Sequence, residues 1–172
     1  MKQRLAITAL AFACACSSYA QSPANPPSRP HLDQLDVLCL PFMAKRGTAE
    51  QLGSRARIFG YTDKLVATQF KRPDYNPVIY ADASSSVKLT FATHDDGTPS
   101  KCSIRLTGVD NASLQAPLKA WAERHGMAMT QELASEGGGQ GNNDAEYQSS
   151  SLRVYMEGMS TLTILTVDKP EP

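Results

Sequence analysis

Two short segments with alternating apolar and polar residues constrain the fold of this chain more than any other feature. They cover residues 86–93 and 101–107, and the loop between them contains Asp96-Gly97, a common turn sequence. A period of two is the pattern of a strand that is buried on one face only. The sequence therefore predicts a β-hairpin. The positions that it turns towards the core are Val87, Leu89, Phe91, Cys102, Ile104 and Leu106.

Helical periodicity flanks the hairpin on both sides. Pro41 lies within the first helical run, where its missing backbone donor should kink or end the helix. Thr48 and Gln51 have the spacing of a capping box at the start of a second helix, and Gly60 suits its end. A third helix is predicted over residues 110–125. The apolar stripes of the first and third helices are Leu32, Leu35, Leu38, Cys39, Phe42 and Met43, and Leu114, Leu118, Trp121, Ala122 and His125.

The order of the predicted elements indicates the fold class. Strands are expected beyond the hairpin at 78–82, 127–133, 145–158 and 159–167. Strands that follow one another through short connections favour an antiparallel sheet with helices on one face. We therefore predict an α+β fold, a single two-layer domain over residues 31–168 with an antiparallel sheet of five or six strands. The order strand–strand–helix–strand–strand hints at a weak internal repeat.

The first twenty residues have the three parts of a secretory signal peptide. Lys2 and Arg4 form a basic start, residues 5–15 are apolar, and Ser18-Tyr19-Ala20 resembles a cleavage site. The apolar run is shorter than the roughly 20 residues that span a bilayer. We expect cleavage after Ala20 and a periplasmic or secreted protein. A Pro-rich extended lead-in over 21–30 would then precede the domain, and 169–172 would form a tail.

A lipid anchor is the alternative for this N-terminus. Bacterial lipoproteins are cut before a cysteine that follows small residues, and Cys14 and Cys16 both follow alanine. Ala11 and Ala13 stand where a leucine is usual, so cleavage after Ala20 is favoured over acylation at either cysteine.

Two cysteines, Cys39 and Cys102, remain after processing. Both occupy apolar positions of predicted elements, so both should point into the same core. Two thiols in an oxidising compartment indicate one disulfide. A redox pair is the alternative, but the mature chain has no C-x-x-C motif.

The charge balance disfavours two classes of partner. The chain has 17 basic and 17 acidic residues, and removal of Lys2 and Arg4 leaves 15 against 17, a net charge of −2. A nearly neutral chain has no overall electrostatic attraction for nucleic acid or an anionic membrane. No later segment has the length of a transmembrane helix.

Methionine and histidine raise the possibility of a metal site. Thioether and imidazole groups are ligands that suit Cu(I), and copper handling is a task of the cell envelope. Alternation would place Met127 and Met129 on one face, although core packing requires the same pattern and methionine commonly fills cores. Copper is therefore an alternative, and no other cofactor is expected. The candidate ligands are His94, His125, Met127, Met129, Met156 and Met159.

Motifs of catalysis are missing from the sequence. The glycine-rich stretch 136–144 lacks the Lys-Ser/Thr of a phosphate-binding loop and is better explained as a flexible hairpin loop. No G-x-S-x-G nucleophile elbow occurs. We therefore expect a protein that is not an enzyme, with a small hydrolase whose site no motif marks as the alternative.

The first functional hypothesis is a protein-binding module of the bacterial cell envelope, such as an inhibitor, an immunity factor or an assembly accessory factor. One compact disulfide-tied domain and balanced charge favour it. The expected contact surfaces are the 136–144 loop and residues 70–80, because tyrosine and arginine are enriched at interfaces. The candidate contact residues are Arg72, Tyr75, Tyr80, Gln140, Asn142 and Asn143.

Overall fold

The computed structural model describes residues 29–65, 74–133, 144–159 and 162–170. The signal peptide, Cys14 and Cys16, most of the Pro-rich lead-in and the 134–143 stretch lie outside these ranges. Within them, one antiparallel sheet contains eight strands: β1 (Tyr61–Leu65), β2 (Asn76–Asp82), β3 (Val87–Thr93), β4 (Pro99–Thr107), β5 (Ala128–Leu133), β6 (Asp144–Gln148), β7 (Arg153–Met159) and β8 (Leu162–Asp168).

Three helices pack against this sheet. The N-terminal helix consists of α1 (Arg29–Gln34), a π-helical segment (Leu35–Cys39) and α2 (Leu40–Met43). The second helix is α3 (Ala49–Ala56), followed by a 3₁₀ turn (Arg57–Phe59), and the third is α4 (Asn111–Arg124). The α+β class and the antiparallel sheet are confirmed. The predicted number of five or six strands is wrong, because β1 was missed and because β6 and β7 were taken for one strand.

The strand order is β1-β2-β3-β4-β8-β7-β6-β5. Strands β1 to β4 form one meander and β5 to β8 form another, and the two meet where β4 pairs with β8. The predicted hairpin is confirmed as β3–β4, in which Leu89 pairs with Ile104 and Phe91 with Cys102. Each meander follows a helical region, so the chain repeats a helix-then-four-strands order.

The strand register identifies the face of the sheet that the helices cover. Tyr80, Leu89, Ile104, Leu165 and Met156 are successive cross-strand partners and therefore project from one face. All of them are buried. The ring centroids of Phe42 and Phe91 lie 4.9 Å apart, Tyr80 Oη donates to Ala49 O at 3.2 Å, and Asn111 contacts Thr163. Each helix therefore packs on this one face.

Pro41 does not end the N-terminal helix. The helix changes to a π-helical segment just before the proline and continues as α2 to Met43. A π-helical turn is a common way to accommodate a residue that cannot donate the regular i to i−4 hydrogen bond. The predicted stripe is buried over its whole length, from Leu32 to Met43.

A disulfide joins the N-terminal helix to the middle of the sheet. Cys39 and Cys102 are bonded, with their Cα atoms 5.3 Å apart, and both are fully buried. The bridge links the π-helical segment to β4, a central strand. The prediction of one disulfide between these two residues is confirmed.

The ends of the other helices follow the sequence pattern. The Thr48 side chain accepts from Gln51 N and the Gln51 side chain accepts from Thr48 N, so the capping box is present. Asp110 caps α4, whose buried face includes Leu114, Leu118 and Trp121. His125 differs from the prediction, because it forms the C-cap of α4 and is exposed. None of the helices in the described ranges is long and apolar enough to cross a membrane.

Candidate functional site

The face of the sheet opposite the helices carries a group of half-buried polar side chains. Side chains alternate along a strand, and the sequence neighbours of Lys101 and Tyr155 point towards the helices. Lys101, Tyr155 and the residues that pair with them therefore share the uncovered face. Lys101 pairs with Asp168, which pairs with Arg153, and the next row contains Tyr155 and Glu146. We call these five residues the Tyr155 cluster. In the part of the chain that the structure describes, no helix packs over them.

Arg153 is held on several sides within the cluster. Its Nε and Nη2 atoms donate to the two carboxylate oxygens of Asp168 at 2.8 and 2.9 Å, and its Nη1 atom lies 4.0 Å from Glu146 Oε2. Its guanidinium carbon lies 5.2 Å from the centre of the Tyr155 ring, within the range of a cation–π contact. The hydrogen bonds that Arg153 donates to Asp168 raise the pKa of Arg153 despite its partial burial. The guanidinium is therefore fixed in position and charge.

Lys101 approaches the same tyrosine. Its Nζ atom lies 5.6 Å from the centre of the Tyr155 ring. Burial lowers the pKa of Lys101, but hydrogen bonding with Tyr155 and the nearby Tyr155, Glu157 and Tyr75 more than offset it, so the pKa is raised. Lys101 is thus a cation near neutral pH. The face therefore presents an aromatic ring within about 6 Å of two cations.

A second polar group lies between the N-terminal helix and the end of α4. Asp36 Oδ1 accepts from Trp121 Nε1 at 2.9 Å and lies 2.8 Å from His125 Nε2. The Trp121 and His125 rings are 4.4 Å apart. The pair of His125 and Asp36 resembles part of a catalytic constellation, in which a carboxylate orients a histidine. The bonds of this group also tie α4 to the N-terminal helix, which is a structural role.

A separate cleft lies elsewhere in the described structure. It is an open groove of about 790 Å³ between the start of α3 and the β3–β4 turn. Phe42, Val78 and Pro99 provide apolar lining, while Lys45, Arg46, Glu50 and Asp96 provide charges of both signs. Neither His125 nor Asp36 lines this groove or the smaller cleft of about 220 Å³ beside Tyr61 and Tyr80.

The candidate metal ligands lie in different environments in the structure. His94 lies in the exposed β3–β4 turn, and His125 bonds to Asp36. Met156 is fully buried in the core, and the side chain of Met159 is outside the described residues. Among the residues that the structure covers, no three His, Cys, Asp or Glu side chains are grouped as a metal site would require.

Met127 and Met129 do not share one environment, although alternation predicts that they do. Met127 is only 5 % exposed, whereas Met129 is 46 % exposed. The reason is local, because β5 begins at Ala128 and Met127 belongs to the turn after α4, where its N–H donates to Ala122 O. Met127 therefore packs in the core beside α4.

The candidate contact residues for a protein partner also lie in different environments. Arg72, Gln140, Asn142 and Asn143 lie outside the described residues. Tyr80 is 9 % exposed and bonded to α3, so it has little surface to offer a partner. Tyr75 is half-buried and is among the groups that raise the pKa of Lys101.

Sequence reasoning missed Lys101, Arg153 and Tyr155. Lys101 and Tyr155 are outward positions of alternating strands, where a polar side chain is expected to face solvent. Their relation depends on β8, which lies between β4 and β7 and carries Asp168. The one available signal was the density of tyrosine and arginine in the segment 153–155.

Comparison of the chain with protein-family models, with curated proteins and with solved structures finds no match.

Proposed function

We propose that this protein is an exported, non-enzymatic binding module of the cell envelope, an inhibitor, immunity or assembly accessory factor that binds another protein through its uncovered sheet face. The signal-peptide pattern and the disulfide support an oxidising location outside the cytoplasm. The observation that carries the proposal is the Tyr155 cluster, in which Lys101 and Arg153 both approach one aromatic ring, at 5.6 and 5.2 Å from its centre.

The physical reason is the low cost of ordering such a surface. Binding requires that interface side chains lose their freedom, at about 0.5 to 1.5 kcal/mol for each flexible side chain. In this protein Arg153 is already fixed by Asp168, and the Lys101 ammonium lies 5.6 Å from the centre of the Tyr155 ring. Tyrosine and arginine also dominate the residues that contribute most to protein–protein binding. Rigid strands hold such a group more precisely than loops do.

Affinity capture from a cell-envelope extract tests the proposal. The baits are the wild-type protein, Tyr155→Ala, and Ile58→Ala as the matched control, because Ile58 is 75 % exposed and lies on the 3₁₀ turn after α3. We expect the wild type and Ile58→Ala to retain one stoichiometric partner. Tyr155→Ala should weaken its binding about tenfold or more, as the loss of a central interface residue does.

Two controls make this result decisive. Circular dichroism and thermal unfolding must show that Tyr155→Ala is folded, since the residue is half-buried. Tyr155→Phe keeps the ring that approaches Arg153 and removes only the hydroxyl, so it should keep most of the affinity if the ring makes the contact. Equal capture of the same partner by Tyr155→Ala and wild type would contradict the proposal.

The pair of His125 and Asp36 favours a second candidate, a small hydrolase. Asp36 would orient His125 as a general base, as the carboxylate of a catalytic triad does. No described serine hydroxyl hydrogen-bonds to His125. The candidate predicts ester hydrolysis that His125→Ala abolishes, measured with p-nitrophenyl acetate, and an unchanged rate in His125→Ala would eliminate it.

A further inference from the structure

Two cations face each other directly on the uncovered face. The β3–β4 register pairs Lys88 with Arg105, and their neighbours in the same strands show that both project away from the helices. Like charges at directly opposed positions destabilise a sheet. Neither residue forms an ion pair with any described residue, in contrast to Arg153 in the same face. The free protein therefore keeps an unfavourable pair that a single substitution would remove.

The residues paired with these two cations on their outer sides are uncharged. Ala81 lies beside Lys88 and Ile164 lies beside Arg105, so no counter-charge occupies the directly paired positions of the adjacent strands. The nearest acids in this row, Asp63 and Glu157, are one strand further out on either side. Two strand spacings amount to about 10 Å, roughly the screening length at physiological salt. Among the described residues neither acid forms an ion pair with Lys88 or Arg105, and both would repel a broad anionic surface.

The next row of the same two strands adds hydrogen-bond donors. Thr90 pairs with Ser103, and both are half-buried on the uncovered face. Two cations with two neighbouring hydroxyl groups match the acceptor oxygens of a carboxylate, and the forked Arg105 guanidinium can bind both oxygens at once. Lys101 lies two residues before Ser103 in β4, and its side chain approaches the ring of Tyr155. The anion-binding position and the Tyr155 cluster are therefore adjacent parts of one surface.

We propose that Lys88 and Arg105 bind a carboxylate of the protein partner, so that the partner presents an acidic segment along β3 and β4. This inference rests on the proposed function, because it names the chemistry of the partner at the same face. A carboxylate placed between the cations relieves their repulsion, which makes the contact favourable only in the complex. A membrane or a nucleic acid would bring further negative charges against Asp63 and Glu157, so a short acidic protein segment fits better.

The direct test uses a fluorescent hexaglutamate peptide as probe, with hexaglutamine as its uncharged counterpart and phosphatidylglycerol vesicles as a lipid probe. The protein is the full folded chain with its disulfide intact. We expect hexaglutamate to bind at low salt and to shift the amide NMR signals of β3 and β4. Lys88→Glu and Arg105→Glu should each weaken this binding about tenfold or more. Lys119→Glu, an exposed change on α4, should leave it unchanged.

The two charge-reversal variants also control for loss of folding. Each reversal converts an opposed like-charge pair into an opposed ion pair, so the unfolding midpoint should not fall. A variant that is as stable as wild type but binds hexaglutamate ten times more weakly supports the inference. Equal binding of hexaglutamine, binding of vesicles in place of the peptide, or unchanged peptide binding in both reversals would overturn it.

Capture of the partner by each variant distinguishes this inference from the proposed function. Loss of the partner in both Tyr155→Ala and Arg105→Glu supports the two proposals together. Loss in Tyr155→Ala with full retention in both Lys88→Glu and Arg105→Glu overturns the carboxylate contact and leaves the proposed function standing. Retention by Tyr155→Ala overturns the proposed function, whatever the peptide experiment shows.

Discussion

Gly53 shows how a single missing methyl group sets the distance between a helix and the sheet. A Cβ atom at this position of α3 would lie 2.0 Å from Cζ and 2.3 Å from Oη of Tyr80. The Tyr80 hydroxyl passes the glycine and donates to Ala49 O at 3.2 Å. The close packing of α3 on β2 therefore depends on glycine here.

We expect Gly53→Ala to lower the free energy of unfolding by up to about 2 kcal/mol. Alanine would favour an exposed helix by about 1 kcal/mol, but overpacking of a filled site costs about 1 to 3 kcal/mol. Urea unfolding measures the difference, and Ser54→Ala at the neighbouring exposed position should stay within about 0.5 kcal/mol of wild type. A more stable Gly53→Ala protein would contradict this packing.

His31 predicts a dependence of stability on pH. Its Nδ1 atom is buried without a hydrogen-bond partner among the described residues, and burial lowers the pKa of His31 below the ordinary 6.5. Below pH 6.5 the unfolded chain therefore binds a proton that the folded chain does not. Because the state that binds more protons gains stability on acidification, the free energy of unfolding should fall as the pH drops from 7 through 6.5.

The contribution of His31 is the difference between wild type and His31→Gln, which has no titrating group at this site. Urea unfolding of both proteins at several pH values between 7 and 5 should show a steeper loss in wild type. Parallel pH profiles for the two proteins would show that His31 does not cause the dependence.

The burial of a single residue could be predicted where the apolar pattern of its own element determines it. Cys39 and Cys102 each fall on an apolar stripe, and the structure joins them. Tyr80 was expected at the surface because the segment 70–80 has an interface-like composition. It is buried because β1 pairs with the outer side of β2 and α3 covers its face, and neither neighbour can be inferred from the composition of the segment.

At the scale of elements, the capping box decides where α3 begins. The side chains of Thr48 and Gln51 each accept a hydrogen bond from the backbone of the other, at 3.3 and 3.0 Å. Both donors belong to the start of the helix, where backbone N–H groups lack partners within the helix. The loop that precedes α3 also borders the 790 Å³ groove.

We expect Thr48→Ala to reduce the free energy of unfolding by about 1 kcal/mol, as the loss of an N-cap hydroxyl does. Thr48→Ser keeps the hydroxyl and should remain close to wild type. Chemical denaturation compares the two, and equal stability of the alanine and serine variants would show that the cap contributes nothing.

Elements with an apolar period were predicted, and elements without one were missed. In β1 only Tyr61 is buried, where its hydroxyl donates to Gln34 Oε1 at 2.7 Å, and residues 62–65 are exposed. An edge strand of this kind shows no alternation. The strands β6 and β7 merged in the prediction because Ser149 to Ser151 look polar and extended, whereas Ser149 forms a turn by bonding to Leu152.

At the scale of the whole molecule, the disulfide is the only covalent link between the N-terminal helix and the sheet apart from the backbone. It closes a loop across a separation of 63 residues. On the chain-entropy model such a bridge stabilises the fold by about 4 kcal/mol, because it restricts the unfolded chain.

The double variant Cys39→Ala/Cys102→Ala should therefore lose up to about 4 kcal/mol of unfolding free energy. The native wild-type protein should show no free thiol from this pair until it is denatured and reduced. Thiol titration and urea unfolding check the two statements, and two reactive thiols in the native protein would refute the first.

The fold class could be predicted and the proposed binding surface could not. Runs of strands separated by a helix are enough to indicate an antiparallel α+β fold. The Tyr155 cluster requires that β8, the last strand, insert between β4 and β7. Lys101 and Tyr155 come together only through this long-range pairing, and no local pattern encodes it.

The two meanders are joined by the pairing of β4 with β8, so the stability of each half of the chain should depend on the other half. Residues 29–107 and 111–168 each contain a helical region and four strands, and the pairs from Lys101–Asp168 to Thr107–Leu162 form the ladder between them. Either half alone would expose a long apolar edge strand, a site for aggregation. The disulfide lies within the first half, so two separately produced halves would have to recognise each other through that ladder. Their joint stability would then depend on concentration, as in an obligate dimer.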